Sequence, residues 1–197
     1  MKLTYKGKYS GDEASLPTKE HPEGYQKFKE PDSKKFMLLA NGIAALITVV
    51  TVVVAGRVTF GYICSDVENG SFIKIMLAFI LPMITIVPHE FMHALCFKGE
   101  VYMYAYPQAG AMFVLGLEDM SKSRFVFMSL LPNLVLGFIP FILGMVFPEM
   151  YWIAFFGALN IGSGAGDYLN VFNALSQVPK GAKIYASGFH SYWYLPA

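Results

Sequence analysis

The sequence predicts an all-α membrane protein with about four transmembrane helices and a membrane-associated β-hairpin between the second and third helices. Two features of its composition lead to this prediction. The 197 residues are 55% hydrophobic and only 15% charged, whereas a soluble domain carries about 25% charged residues. The chain also contains 17 Phe and 12 Tyr, which add to its apolar surface. Its length indicates one compact domain.

Charge and cysteine content exclude several classes of protein. The net charge of +1 favours no particular partner, and no basic cluster indicates nucleic-acid binding. Cys64 and Cys96 are too few for a disulfide framework. The first 35 residues are polar and lack a signal-peptide pattern, so the first apolar segment is expected to remain in the mature protein. The lipid bilayer is the partner that composition implies.

The chain is expected to have a polar N-terminal tail (1–35), a four-helix transmembrane domain (36–178) and an interfacial C-terminal tail (179–197). Residues 2–6 are expected to form a short strand. The predicted spans are 36–55, 71–98, 124–147 and 150–178, with a loop at 57–70 and a very short turn at Pro148-Glu149. Pro82 and Pro88 each remove an amide donor from the second span and are expected to bend it. The C-terminal tail alternates aromatic with small residues, which predicts an interfacial segment with a strand pair.

Residues 101–117 are expected to form the hairpin, with strands at 101–106 and 111–117 on either side of Pro107-Gln108-Ala109-Gly110. This segment is too apolar for a solvated loop.

The orientation in the membrane follows from the basic residues, because cytoplasmic loops are enriched in lysine and arginine. With four spans, 13 of the 15 Lys and Arg residues fall on the side of both termini, and only Arg57 and Lys74 fall on the other. Both termini are therefore expected in the cytoplasm.

The second span contains the sequence His89-Glu90-Phe91-Met92-His93, which has the H-E-x-x-H pattern. On a helix the two histidines are one turn apart, so both imidazoles can bind one Zn²⁺. Glu90 projects beside them, where it can accept a proton from a metal-bound water. The alternative is a pair of core histidines with a stray glutamate. Placing three ionisable groups in an apolar segment costs several kcal/mol unless they pair or bind a metal ion, and this cost favours the metal site.

Asp167 is the only charged residue of the fourth span, and an isolated carboxylate in a span is a candidate functional group. The second and fourth spans run in the same direction, and His93 and Asp167 are expected at similar depth. His89, His93 and Asp167 would then form a His₂Asp zinc site with a position open to water. Asn160, Gly164 and Asp167 share one helical face. The glycines there allow close approach by substrate, or serve only to pack helices.

Cys96, Asn133 and Ser163 are further candidates for a role in the site. Cys96 lies one turn beyond His93 and could contact the metal, although a small buried hydrophobe is the favoured interpretation. Cys96 and Glu100 are the alternatives for the third ligand should Asp167 not serve. Asn133, after the predicted kink at Pro132, could bind substrate, although a helix–helix hydrogen bond is favoured. Ser163 lacks a G-x-S-x-G context, so no serine nucleophile is predicted.

An H-E-x-x-H span followed two spans later by Asn160 and then Asp167 resembles the site-2 protease group of intramembrane zinc metalloproteases. The His-Glu-Phe-Met-His-Ala-Leu context and the Gly-Asp-Tyr-Leu element are more similar to the small bacterial proteins of the DUF3267 family of zincin peptidases. This resemblance covers about residues 36–190. Tyr168 stands where the site-2 pattern has a glycine.

The resemblance implies a multi-pass enzyme of the bacterial cell membrane that uses Zn²⁺ to hydrolyse peptide bonds of membrane-embedded or membrane-proximal proteins. Glu90 would act as general base and then as general acid, and Asn160 would steady the substrate backbone. The hairpin would offer an edge strand to an extended substrate, or would only plug the fold. Two other functions stay open: a non-catalytic transporter accessory or scaffold with a closed structural metal site, and a zinc hydrolase of a non-peptide substrate. No feature of the sequence specifies a substrate sequence, a pathway or an oligomeric state.

Overall fold

The computed structural model describes residues 1–30 and 33–196, and the chain is 60% helical. Residues 31, 32 and 197 of the two predicted tails lie outside the described residues. The helices of the described chain are α1 Ser33–Glu68, α2 Ile73–Ile84, α3 Ile86–Leu95, α4 Lys122–Pro132, α5 Ile139–Val146, α6 Tyr151–Ser163 and α7 Ala165–Gln177. The strands are β1 Lys2–Lys8, β2 Gln26–Lys27, β3 Glu100–Tyr106, β4 Ala111–Leu115, β5 Met120–Ser121, β6 Lys183–Ser187 and β7 His190–Tyr194.

The chain divides into two compact units. One unit, called here the sheet unit, comprises Met1–Pro31, Val87–Leu130 and Leu169–Ala197. The other, called the helical unit, comprises Asp32–Ile86 and Leu131–Tyr168.

The sheet unit contains a three-stranded sheet of order β1-β3-β4 and a four-stranded sheet of order β2-β7-β6-β5. Strands β3 and β4 pair antiparallel, which confirms the predicted hairpin, and β6 pairs with β7 as the predicted strand pair of the C-terminal tail. Strand β1 confirms the predicted N-terminal strand and runs parallel to β3. The chain is therefore not plainly all-α, because two sheets accompany the helices and both tails contribute strands to them.

The two faces of β3 pack against different clusters, because successive side chains of a strand point to opposite faces. Val101 belongs to a core that also contains Ala94 of α3 and Ile184 of β6. Tyr104 belongs to a second cluster with Tyr9. The first cluster packs the carboxyl-terminal end of α3 against the sheets, and this end carries the H-E-x-x-H motif.

The helical unit is packed through small residues of α6. A Cβ placed on Gly157 would lie 2.3 Å from the backbone nitrogen of Phe141, so α6 and α5 approach to a distance that only glycine permits. Ala154 and Ala158 of the same helix are fully buried. A Cβ on Gly162, one of the glycines near Asn160, would collide with the hydroxyl oxygen of Thr48 in α1, which favours the helix-packing alternative for that glycine.

Two helical stretches of the described chain are long and apolar enough to cross a membrane, Leu38–Glu68 and Lys122–Val146. Helices α2 and α3 make a third if they count as one span bent by 46°. The fourth predicted span is not among the candidates, because a break at Gly164 divides it into α6 and α7, each of 13 residues. The described chain thus has two or three candidate membrane-spanning helices, while the prediction of four stays a prediction.

Two boundaries show where hydropathy and backbone structure diverge. Helix α1 continues to Glu68, so the predicted loop at 57–70 is wrong. Residues 56–68 are less apolar but contain no proline, and loss of hydrophobicity alone does not end a helix. The bend in the second predicted span is confirmed and lies at Thr85. Pro88 explains it, because a proline ring clashes with the carbonyl four residues earlier, here that of Ile84.

Candidate metal site

Helix α3 brings the three ionisable groups of the motif together. One ligand atom from each of His89, Glu90 and His93 lies within 4.8 Å of the others. The Nε2 atoms of the two histidines are 3.1 Å apart, and their rings meet at 74° with centroids 4.9 Å apart. This convergence follows from the i, i+4 spacing, which places side chains on one helical face. Among the described residues, these three form the group suited to holding a metal ion.

The distance between the histidine nitrogens fits a shared zinc ion. Zn–N bonds of about 2.05 Å at a tetrahedral angle would place two ligand nitrogens about 3.3 Å apart, close to the observed 3.1 Å. Zinc also prefers the donor set present here, imidazole nitrogen and carboxylate oxygen. The donors of α3 therefore fit zinc in both chemistry and spacing.

The tautomer and orientation of His93 are set by a backbone carbonyl. His93 Nδ1 lies 2.8 Å from the carbonyl oxygen of Met128 in α4. A carbonyl only accepts hydrogen bonds, so Nδ1 carries the proton and Nε2 keeps its lone pair for a ligand. The His93 side chain is buried, and its neighbour Ala94 is fully enclosed. The imidazole is thus held in one orientation before any metal binds.

The end of α3 is anchored by an ion pair. Arg124 donates through Nε to the carbonyl of Cys96 at 2.9 Å and through Nη1 to Glu118 at 2.6 Å. The other oxygen of Glu118 accepts the backbone amides of Lys98 at 2.6 Å and Gly99 at 3.2 Å. Burial raises the pKa of Glu118, but Arg124 and the two amides outweigh it and hold that pKa below its usual range. The last turn of α3 is therefore tied to the loop before α4 and to α4 itself.

Cys96 follows the last residue of α3, and its thiol lies 3.6 Å from the carbonyl of Met92. It is half-buried and is not in the group that Glu90 and the two histidines form. This position agrees with the favoured interpretation of Cys96 as a small apolar residue.

Asp167 lies in the first turn of α7, within the helical unit. Its Oδ2 accepts a hydrogen bond of 2.8 Å from Nδ2 of Asn133. Tyr168 donates to the carbonyl of Ile161 at 3.0 Å and to Oδ1 of Asn133 at 3.3 Å. Asn133 is only 1% exposed and begins a π-helical segment, Asn133–Phe138, of the kind that often marks functional sites. The helix–helix hydrogen bond that the sequence favoured for Asn133 is confirmed, and its partner is the carboxylate of Asp167.

Gly164 makes room for this pair. A Cβ at position 164 would lie 1.6 Å from Asn133 Oδ1, so no other residue fits there without moving the amide. The break between α6 and α7 thus coincides with the insertion of the Asn133 side chain.

Asn160 is buried and hydrogen-bonded within the helical unit. Its Oδ1 accepts a hydrogen bond of 2.8 Å from Thr85, and its Nδ2 donates to the carbonyl of Phe156 at 2.9 Å. It therefore links α6 to the residue at which α2 ends.

Of the predicted site residues, the structure brings together His89, Glu90 and His93. Asp167 and Asn160 belong to the helical unit, and their roles as third ligand and substrate contact stay predictions. Sequence reasoning missed the Met128 carbonyl, which has no side-chain signal. It also missed the ion pair that anchors α3, although the opposite charges of Glu118 and Arg124, both shortly after the hairpin, were a signal for it.

Comparison with known families bears directly on this arrangement. The model of the family DUF3267, whose description reads "Putative zincin peptidase", matches residues 82–183, just over half of the chain. The chain belongs to DUF3267. The matched region includes α3, the hairpin and Asp167. No curated protein and no solved structure shows significant similarity to the chain.

Proposed function

We propose that this DUF3267 protein is an intramembrane zinc metalloprotease that hydrolyses peptide bonds of membrane-embedded or membrane-proximal proteins. The observation that carries the proposal is the convergence of two histidine Nε2 atoms and one glutamate on α3. The zincin description of the family and the apolar helices of spanning length support it.

His89 and His93 would hold the ion, and Asp167 is the proposed third ligand. Zinc bound there supplies Lewis-acid polarisation of a carbonyl and lowers the pKa of water to about 7. The carboxylate of Glu90 accepts the proton of the attacking water and delivers it to the nitrogen of the leaving amine. The Met128 carbonyl, by keeping the proton on Nδ1 of His93, leaves Nε2 as the ligand atom.

The test of the mechanism is Glu90→Gln, which keeps size and hydrogen-bonding reach but removes the base. Purified protein would be assayed for zinc by elemental analysis and for cleavage of a membrane peptide. We expect zinc content near wild type and cleavage reduced by at least about 100-fold, the usual scale for losing a general acid–base group. Glu68→Gln, at the end of α1, is the matched control and should cleave like wild type.

Full cleavage by Glu90→Gln would rule out the zincin mechanism, and loss of zinc would make Glu90 a ligand. A structural metal site with four protein ligands predicts that Glu90→Gln changes neither measurement. Cleavage of an ester or amide but of no peptide would favour a non-peptide hydrolase.

The proposal for Asp167 rests on its place in the matched region and on the hydrogen bond from Asn133, which orients one carboxylate oxygen. Asp167→Asn replaces an anionic ligand with a poor neutral one. Zinc affinity should fall by orders of magnitude, whereas Asn160→Ala should keep its zinc. The measurement is zinc stoichiometry after a mild chelator wash. Equal zinc in Asp167→Asn and wild type would refute the assignment and redirect the search to Cys96 or Glu100.

We also propose that the protein crosses a bacterial cell membrane four times with both termini in the cytoplasm. The distribution of Lys and Arg residues supports this orientation. Reporter fusions at the C-terminus and at Gly110 should read cytoplasmic, and a fusion at Asn69 should read external. An external C-terminus would contradict the proposed orientation.

Strand β4 is an edge of its sheet, since the order is β1-β3-β4. An unpaired edge can add an extended peptide by main-chain hydrogen bonds. This edge supports the proposal that β4 holds the substrate in the extended form that hydrolysis needs.

A further inference from the structure

A second concave site lies in the sheet unit, on the three-stranded sheet. Its volume is about 450 Å³, within the range of small-molecule sites. It is lined by residues of β1 and β3 and by the segment that follows β1, and none of these residues belongs to the H-E-x-x-H motif. The metal chemistry proposed above does not use this cavity.

An irregularity of β1 shapes one wall of the cavity. The pairing of β1 with β3 shifts register between Tyr5 and Lys8. Gly7 lies in this interval with a φ of +85°, a conformation that glycine adopts without strain. Such bulges re-aim side chains at the edge of a sheet. Lys6 and Lys8, on either side of the glycine, both line the cavity.

These two lysines bring positive charge to the cavity. In the described part of the chain, neither Lys6 nor Lys8 forms an ion pair, whereas Lys2 of the same strand pairs with Glu100 at 2.7 Å. The carboxylate of Glu100 is further occupied by the hydroxyl of Tyr102, which donates to it at 3.0 Å. The ammonium of Lys6 lies 5.0 Å from the centre of the Tyr102 ring, a contact that leaves its hydrogen-bond donors open to an anionic ligand.

Two tyrosine hydroxyls add hydrogen-bond donors. Tyr9 and Tyr104 line the cavity and are only 3% and 7% exposed. Neither hydroxyl forms a hydrogen bond within residues 1–30 and 33–196, and neither oxygen is sealed from solvent. Because both oxygens reach solvent, each hydroxyl is able to donate a hydrogen bond to a ligand. Burial also raises the pKa of both tyrosines, so each keeps its proton and can donate it.

We propose that this cavity binds a phosphate ester. Lysine ammonium groups bind phosphate as point charges, and hydroxyl donors complete its hydrogen bonds. Tyr9, Tyr104, Leu16 and Pro17 also line the cavity, and apolar side chains there suit the organic part of the ester. A soluble phosphate metabolite and the head group of a phospholipid present this same chemistry.

The test uses the full chain in phosphatidylcholine nanodiscs, titrated with glycerol 3-phosphate by calorimetry. A parallel preparation contains phosphatidylglycerol, whose retention by the protein is measured by native mass spectrometry. The test variant combines Lys6→Gln with Lys8→Gln. Its matched control combines Lys2→Gln with Lys180→Gln, which removes the same charge from positions outside the cavity. A second pair compares Tyr104→Phe with Tyr5→Phe, since Tyr5 is 61% exposed and does not line the cavity.

We expect the double lysine variant and Tyr104→Phe each to weaken binding at least about tenfold, with both controls at wild-type affinity. Binding of glycerol 3-phosphate supports a soluble ligand. Variant-sensitive retention of phosphatidylglycerol without soluble binding supports a lipid head group. The proposal is overturned if neither probe binds, or if the lysine variant and its matched control behave alike.

Discussion

Replacing Gly164 by alanine tests whether the buried amide of Asn133 shapes the break between α6 and α7. The added Cβ would lie 1.6 Å from Oδ1, 2.3 Å from Cγ and 2.6 Å from Nδ2 of Asn133. The amide has no solvent to move into, because Asn133 is 1% exposed. Gly164→Ala must therefore shift the amide and disturb its hydrogen bond to Asp167.

Two costs determine the magnitude. Forcing extra volume into a packed interior costs about 1–3 kcal/mol. Losing a hydrogen bond to a charged group costs about 1.5–3 kcal/mol. The free energy of unfolding should fall by about 3–5 kcal/mol, which for a chain of this size lowers the melting temperature by roughly 10 °C. Thermal unfolding in detergent, followed by tryptophan fluorescence, measures this shift.

Gly166→Ala is the matched control, because its added Cβ would meet nothing within 4 Å. This variant should be at least as stable as wild type, by up to about 1 kcal/mol, since alanine favours helix over glycine. Asn133→Ala removes the group that clashes, so adding Gly164→Ala to it should cost little more. Additive effects of the two substitutions, or equal melting temperatures for the two glycine variants, would refute the reasoning.

Three further predictions concern pH, the anchor of α3 and the ligand set. Burial raises the pKa of Glu30 to about 7, so the folded protein keeps a proton that the unfolded chain releases above about 4.5. The free energy of unfolding should then fall by about 1–2 kcal/mol as pH rises from about 4.5 to about 7, after allowance for the partial exposure of Glu30. Unfolding measured at pH 5 and 7.5 should show this decrease in the wild type and not in Glu30→Gln. Glu118, whose pKa is lowered, contributes stability above its unfolded pKa that is lost as pH falls through its folded pKa. At pH 7, Glu118→Gln should cost about 1.5–3 kcal/mol and speed zinc release, whereas Glu20→Gln should do neither. His89→Ala should lose its zinc, whereas Cys96→Ala should retain it. The reverse result would show that Cys96, after the end of α3, is a zinc ligand and that His89 is not.

The parts of the structure that local patterns specify were predicted from the sequence. The i, i+4 spacing of His89 and His93 requires only a helix to bring the rings together. The hairpin follows from two apolar runs around a turn sequence, and the bend at Thr85 follows from the chemistry of Pro88. In each case the relevant residues lie within a few positions of one another.

The remaining parts depend on partners distant in sequence. Strand β1 pairs with β3, which is about 100 residues away in the sequence. The short polar segment predicts a strand but does not indicate which strand it pairs with. His93 contacts the backbone carbonyl of Met128. Every residue has such a carbonyl, so the sequence does not indicate which one His93 contacts. Asn133 and Asp167 are each candidate site residues from the sequence alone, but their pairing depends on the space left by Gly164, which only the packed helices reveal.

The pairing of β2 with β7 has a consequence for biosynthesis. Gln26 lies opposite Trp193, so β2 leaves the ribosome about 170 residues before its partner exists. At the usual 5–20 residues per second, the delay is roughly ten to thirty seconds. During this interval the hydrophobic helices are already available for insertion, while an open strand edge persists near the N-terminus. The sheet unit, whose three segments span the chain, therefore closes last, and a nascent protein truncated before β7 would retain the H-E-x-x-H motif without the four-stranded sheet.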